Sequence, residues 1–343
     1  MKFLFDLQHP AHFHFFRNLI VRLKDEGHLV LITARDKDIL VQLTKESGMK
    51  LLIFGKAKKG VLRLSFELLF RQWRLFTLMC RFRPDAVMAI AGTYICIPAW
   101  LCRIPRYVFY DTEHANMSNL LAYPFATCIY VPQCYRKSIS YRHRRYNGYH
   151  ELAYLHPRYF KPDSQVLSKI GLRSDGLFIV VRFVGWGAVH DIGLAGFSME
   201  NKRRAVETLL RYGNVVISAE DPLPADLEPY RCTLPVSDMH HLLAHAALVF
   251  GESATMASEG AVLGVPGIYL DPVGRGYTDE QEKEFGLVFN FTGLQQLEAI
   301  DKAVEILSNY RREDWQARGV RLRDSKIDVG EMLHQIATTR PYA

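Results

Sequence analysis

Glycine punctuates the first half of this chain in a way that admits few folds. Lys2–Leu7 reads as a strand, residues 13–26 as a helix stopping at Gly27, and residues 28–33 as a second strand. Residues 37–47 read as a helix stopping at Gly48, and 50–54 as a third strand. A helix that ends at glycine and passes straight into a short apolar run marks a βα repeat and a parallel sheet. After a long helical stretch the series continues with strands at 85–90 and 106–110. It restarts at 177–183, 214–218, 247–250 and 267–270. Two doubly wound α/β units joined near residues 150–175 explain the pattern. The joining segment, NGYHELAYLHPRYFKPD, is rich in proline and aromatics and has no clear period, so we expect it to be a linker beside a ligand cleft.

Length and composition agree. A chain of 343 residues is about twice the usual domain length. Its 49% hydrophobic and 23% charged content fits substantial cores, with no internal repeat. The N-terminus reads as a strand and not as a signal segment, and no apolar run reaches spanning length. A cytoplasmic location, at the inner face of the cell membrane, is expected. The six cysteines form no CxxC pair and read as reduced core thiols. A net charge of +7 favours an anionic partner, and no motif argues for nucleic acid.

The segment from 249 to 271, VFGESATMASEGAVLGVPGIYLD, is the richest in chemistry. It reads as an apolar strand ending at Gly251, a turn of small hydroxyl residues, a helix, and a further strand. In parallel α/β sheets, ligands bind beyond the carboxyl ends of strands, where small residues let a phosphate reach N–H groups at a helix N-terminus. Ser253, Ala254 and Thr255 occupy that place, and Glu259, one turn along from Thr255, can accept from a ribose diol. The alternative is an ordinary βαβ turn with Ser253 as N-cap.

Other turns gather chemistry too. The first carries His9, His12 and His14, of which His12, at the helix entrance, suits general base catalysis; no carboxylate or cysteine completes a metal set. Asp111, Glu113 and His114 follow the strand at 106–110, with Asp111 expected as an N-cap. In RFVGWGAVHD, Arg182 and His190 could hold a diphosphate and Trp186 could cover it. Gly274 and Gly276 permit close backbone approach, and Asp279, Glu280 and Gln281 could bind sugar hydroxyls; the alternative is a solvated helix start. Asp36-Lys37-Asp38 has the D-x-D form but reads as a helix cap. The helix from 62 to 83 sets arginines beside Phe66, Phe70, Trp73, Phe76 and Phe82. Most of its apolar residues are expected in the core, and a basic aromatic face would suit an anionic membrane.

With DLQHPAHFHFFRNLI, GHLVLITARD, GYHELAYLHPRYFKPD, VVRFVGWGAVHDIG and ESATMASEGAVLGVP taken together, nearly the whole chain resembles the domain of unknown function 354 family. That family is similar to GT-B glycosyltransferases and to non-hydrolysing UDP-N-acetylglucosamine 2-epimerases. The resemblance implies two Rossmann-like domains facing a central cleft, an acceptor-side domain at 1–155 and a nucleotide-sugar domain at 156–343. It implies Ser253, Ala254 and Thr255 at the phosphates, Glu259 at the ribose, Arg182 and His190 near the diphosphate, and Asp279 and Gln281 toward the donor sugar. His12 falls where related transferases place a base, although Pro10-Ala11 replaces their glycine-rich turn. Glu113 stands where the epimerases have a catalytic glutamate, whereas the aspartate of their Gly-Asp-Thr segment is lost at Gly92-Thr93. Epimerisation by elimination and readdition needs several acid and base groups around one sugar. The expectation is therefore a metal-independent transferase without cofactor, moving a sugar from a UDP-linked donor to a polysaccharide or glycolipid acceptor. The alternatives are an epimerase and a silent nucleotide-sugar binder.

Overall fold

The computed structural model describes the chain except residues 37, 57–60, 114–115, 139–141, 174, 185–195, 220 and 340–343, and except the side chains of 36, 38, 41, 56, 61–65 and 116–118. The chain divides into two compact units, Met1–Tyr154 with Ile327–Ala343, and Leu155–Lys326.

The first unit runs β1 (Lys2–Leu7), α1 (Pro10–Asp25), β2 (Leu29–Asp36), α2 (Asp38–Glu46), β3 (Leu52–Lys56), α3 (Val61–Phe82), β4 (Ala86–Ile90), α4 (Cys96–Leu101), β5 (Arg106–Phe109), α5 (Asn116–Ala122), β6 (Cys128–Pro132) and β7 (His143–Tyr146). A short helix, α6 (Leu152–Leu155), lies at the division. The second unit continues with α7 (Gln165–Ser168), β8 (Phe178–Phe183), α8 (Met199–Leu209), β9 (Asn214–Ala219), α9 (Met239–His245), β10 (Leu248–Gly251), α10 (Ala254–Leu263), β11 (Gly267–Leu270), α11 (Gly276–Lys283), β12 (Val288–Phe291), α12 (Gln296–Ser308) and α13 (Arg312–Asp324). The last helix, α14 (Val329–Thr339), belongs to the first unit.

The first sheet has seven strands in the order β3-β2-β1-β4-β5-β6-β7, and the second five, β12-β11-β10-β8-β9. Every pairing between these strands is parallel. Both doubly wound units expected from the glycine punctuation are present. Central strands such as β1 and β4 are apolar and buried along nearly their whole length, because helices cover both faces of a parallel sheet. The strand order reverses between β1 and β4 in one sheet and between β8 and β10 in the other, and these are the places where such folds leave a crevice.

Four expectations need correction. The linker is packed chain: Tyr149 and Tyr154 are fully buried, and Ala153 O accepts from the Asn18 side chain at 3.0 Å. The segment from Ile327 onward, assigned to the second domain, packs in the first unit, with Arg22 Nη1 2.8 Å from Glu331 Oε2 and His334 Nε2 2.8 Å from Glu26 Oε2. Of the six cysteines, none in a disulfide, only Cys96 and Cys128 are buried; Cys80 is exposed, its Sγ 3.9 Å from that of Cys102. Finally, α3 turns Glu67, Arg71, Leu75 and Met79 inward and leaves Phe66, Leu69, Phe70 and Trp73 outside, so its large apolar residues are not mostly core. Among the described residues, no helix is long and apolar enough to cross a membrane.

Candidate functional site

In the second unit the reversal of strand order sets the end of β8 beside the end of β10, with Arg182 opposite Gly251. The fit is close. The N–H of Glu252 donates to Arg182 O at 3.0 Å, and a Cβ at Gly251, where φ is +148°, would stand 2.1 Å from that same oxygen. Only glycine lets the two backbones meet this way. The chain then enters α10 through Ser253, the N-cap, whose Oγ accepts the Met256 N–H at 3.3 Å. Ala254 and Thr255 form the first turn, where N–H groups lack helical acceptors. The structure thus brings Arg182 and Ser253 to Thr255 together at one strand-order reversal. The Arg182 side chain is half-buried and donates through Nη1 to Ser218 Oγ at 2.9 Å.

Sequence reasoning gave Glu252 no role. It is buried, and its carboxylate accepts the N–H of Val184 (3.0 Å) on one oxygen and that of Phe197 (2.6 Å) on the other, with Lys202 Nζ at 3.5 Å. Val184 and Phe197 flank the stretch containing Trp186 and His190, which lie outside the described residues, as does His114. One carboxylate therefore ties both stems of that stretch to the end of β10.

Farther along α10 the expected sugar ligands turn inward. Glu259 is buried, with Oε1 2.9 Å from His240 Nε2 on α9. Gln281, on α11, is completely buried and donates its amide to Ser258 Oγ at 2.7 Å. Both side chains bind α10 to its neighbouring helices in this arrangement, which is not the exposed sugar-facing placement expected of Gln281. Asp279 lies in the first turn of α11, its N–H on Arg275 O. Ahead of α11, Asp271 shapes the glycine turn: Oδ1 accepts from Val273 N (2.7 Å) and Gly274 N (2.8 Å), with Arg275 Nη1 at 3.5 Å. Burial pushes its carboxyl up, but Arg275 and the two N–H groups outweigh that and hold it below its ordinary value.

In the first unit, His9 caps α1, and the Gln8 N–H donates to His12 Nδ1 at 3.2 Å. That bond puts the proton of the neutral His12 ring on Nε2. Beneath the turn lies a buried polar cluster. Arg71, fully buried, bonds Gln8 Oε1 (3.0 Å) and Asp6 Oδ1 (3.2 Å) and lies 4.2 Å above the Tyr94 ring. Asp6 also accepts from Thr33 Oγ1 (2.8 Å) and the Gln8 amide. Burial raises the Asp6 carboxyl despite the neighbouring Arg71 charge.

Glu113, buried, accepts the Arg136 N–H at 3.3 Å. Asp111 is not an N-cap: α5 begins only at Asn116, and Asp111 instead lies 3.2 Å from Nδ1 of the buried His150, whose ring packs tilted against Phe15 with centroids 4.3 Å apart. Its carboxylate finds a side-chain partner in the folded chain before any helix begins. His12 and Glu113 follow strands separated by β4. The side chains of Asp36 and Asp38, and all of Lys37, lie outside the described residues.

Residues 1–329 match the family described as "Protein of unknown function (DUF354)". The chain belongs to the DUF354 family. An uncharacterized protein of Methanocaldococcus jannaschii, MJ0665, is 25% identical over 283 residues, 78% of this chain and 81% of that one. The UDP-GlcNAc 2-epimerase of Neisseria meningitidis, solved with UDP-GlcNAc, superposes with a TM-score of 0.70 at 12% identity, covering 99% of this chain and all of the other. That of Methanocaldococcus jannaschii, with UDP-GlcNAc and UDP, gives 0.67 at 14% over 99% and 100%. A glycotransferase of kitacinnamycin gives 0.67 at 12% over 100% and 99%. DUF354 in this chain therefore has the GT-B-like fold, two Rossmann-like parallel-sheet units.

Proposed function

We propose that this DUF354 protein is a glycosyltransferase that moves a sugar from a nucleotide diphosphate sugar, UDP-linked, to a glycan or lipid-linked acceptor. The observation carrying the reading is the meeting of Arg182 with the Ser253–Thr255 turn and the α10 N-terminus at the β8/β10 reversal. The Arg182 backbone meets this turn while its guanidinium is held on Ser218 Oγ at the end of the neighbouring β9. A guanidinium turned toward phosphates at the helix N-terminus would stabilise the negative charge that builds on a departing diphosphate, without proton transfer. The UDP-sugar complexes among proteins of like fold support the donor class.

The acceptor hydroxyl must lose a proton as its oxygen bonds the anomeric carbon. With its Nδ1 accepting the Gln8 N–H, the neutral His12 ring carries its proton on Nε2, the wrong tautomer for taking one from a hydroxyl there. The base role then falls to Glu113. A second reading, nucleotide-sugar epimerisation, is favoured by the named epimerases of like fold, but Gly92-Thr93 lacks the carboxylate that the resemblance leads one to expect there. A silent binder of nucleotide sugars is the third.

The test is a thermal-shift screen against UDP, GDP, CMP, TDP and their sugar conjugates, on wild type and Arg182→Met, followed by product analysis. A shift with one nucleotide class, weakened in the variant, supports the donor site. Nucleotide release that requires an acceptor supports transfer. A new epimer formed without acceptor favours the second reading, and binding without turnover the third. No shift at millimolar concentration sinks the transferase reading.

A further inference from the structure

The outer face of α3 is the most unusual surface in the first unit. Phe66, Leu69, Phe70 and Trp73 recur at i, i+3, i+4 and i+7, one stripe of a helix, and are 71%, 65%, 41% and 59% exposed. Arg74 and Arg81 continue the same exposed stripe, Arg74 lying 4.8 Å over the Phe54 ring and 5.9 Å over Phe70. Four large adjacent apolar side chains left in water mark a surface that meets something.

Charge identifies what. Residues 56–83 hold eight lysines and arginines and one carboxylate, a net charge equal to the +7 of the whole chain, so all the other residues together balance to zero. That single carboxylate, Glu67, faces inward, paired with Arg35 at 2.9 Å. Of the eight cations Arg71 also faces inward, whereas Arg74, Arg81 and Arg83 are exposed, so among the described residues the outward face of α3 offers aromatics and cations without an acid. A symmetric contact with a second copy would set these arginines against their equivalents. A bilayer with anionic headgroups satisfies both components, since aromatic rings enter the interface while basic side chains meet phosphates.

We infer that the exposed face of α3 docks the protein on an anionic phospholipid surface, presenting the first unit to a lipid-linked acceptor. The docking stands on the surface alone, whereas the acceptor rests on the transferase reading. Vesicle binding without nucleotide tests the first separately from the second.

The full chain is mixed with vesicles of phosphatidylethanolamine and phosphatidylglycerol, or of phosphatidylcholine alone, and floated on a gradient. We expect binding to the anionic vesicles, weakened at least about tenfold by Leu69→Ser/Trp73→Ser and by Arg74→Glu/Arg81→Glu, and weakened by salt. Circular dichroism and the nucleotide thermal shift should match wild type in both variants. Three results would overturn the inference: no binding to either vesicle, equal binding to both, or a dimer in light scattering that Leu69→Ser/Trp73→Ser dissociates. The last would make the face a contact between copies.

Discussion

Arg71 Nη2 stands 3.2 Å from Asp6 Oδ1 in a site closed to solvent, an ion pair between the inner face of α3 and the end of β1. Removing one member of a buried pair strands the other, at about 3–5 kcal/mol. Arg71→Gln should lower unfolding free energy in urea by that order. Adding Asp6→Asn should restore part of it, because the carboxylate left without its cation is gone. A single substitution as mild as a surface change would mean that water already reaches the pair.

Asp271 supplies the pH dependence. Its folded pKa lies below the ordinary value of about 3.9, so the native state binds its proton less readily than the unfolded chain. The stabilisation is therefore complete above the unfolded value and is lost as pH falls through the folded one. Wild type should exceed Asp271→Asn in stability near neutrality, and the difference should begin to shrink as pH falls through about 3.9 and be gone below the depressed folded value. Stability curves of the two proteins against pH check this. A difference that grows toward acid would contradict the depressed carboxyl.

Glu252 is the third case. Its two oxygens take the N–H groups of Val184 and Phe197, two acceptances that an amide cannot reproduce. Glu252→Gln should cost about 1–3 kcal/mol, the penalty for one buried N–H facing another donor. Because these N–H groups flank residues 185–195, hydrogen exchange at Val184 and Phe197 should rise more than at the centre of β8. Uniform loss of protection would show a merely global effect.

How much of this could be read beforehand follows from where each residue's partner lies. The central strands were legible because burial on both faces leaves continuous apolar runs. Edge strand β7, with its exposed Arg144 and Arg145, carries no such signature. The Arg182 and Ser253–Thr255 cluster was legible because the end of a parallel strand is a fixed place in the fold. Glu252 was hidden, its partners being 68 and 55 residues away. His150 was hidden in the same way, within a segment read as linker. In α3 the count of apolar residues pointed to core, but side-chain direction is set by what the sheet offers. Asp6 and Arg35 offered charges, and drew Arg71 and Glu67 inward.

Gly251 gives the sharpest test of the β8/β10 junction. At φ +148° an added Cβ meets Arg182 O at 2.1 Å, and that oxygen already accepts the Glu252 N–H. Neither backbone can move without opening the central pairing of the sheet, so Gly251→Ala should cost at least about 2 kcal/mol. Gly171 serves as control. Its φ is +70° and an added Cβ there meets nothing within 4 Å, so Gly171→Ala carries backbone strain alone, about 1 kcal/mol. If both variants melt alike, the close approach does not constrain the fold. If Gly251→Ala melts well below Gly171→Ala and also loses any nucleotide thermal shift that wild type shows, the strand contact that sets the start of α10 also sets the turn proposed to hold the diphosphate.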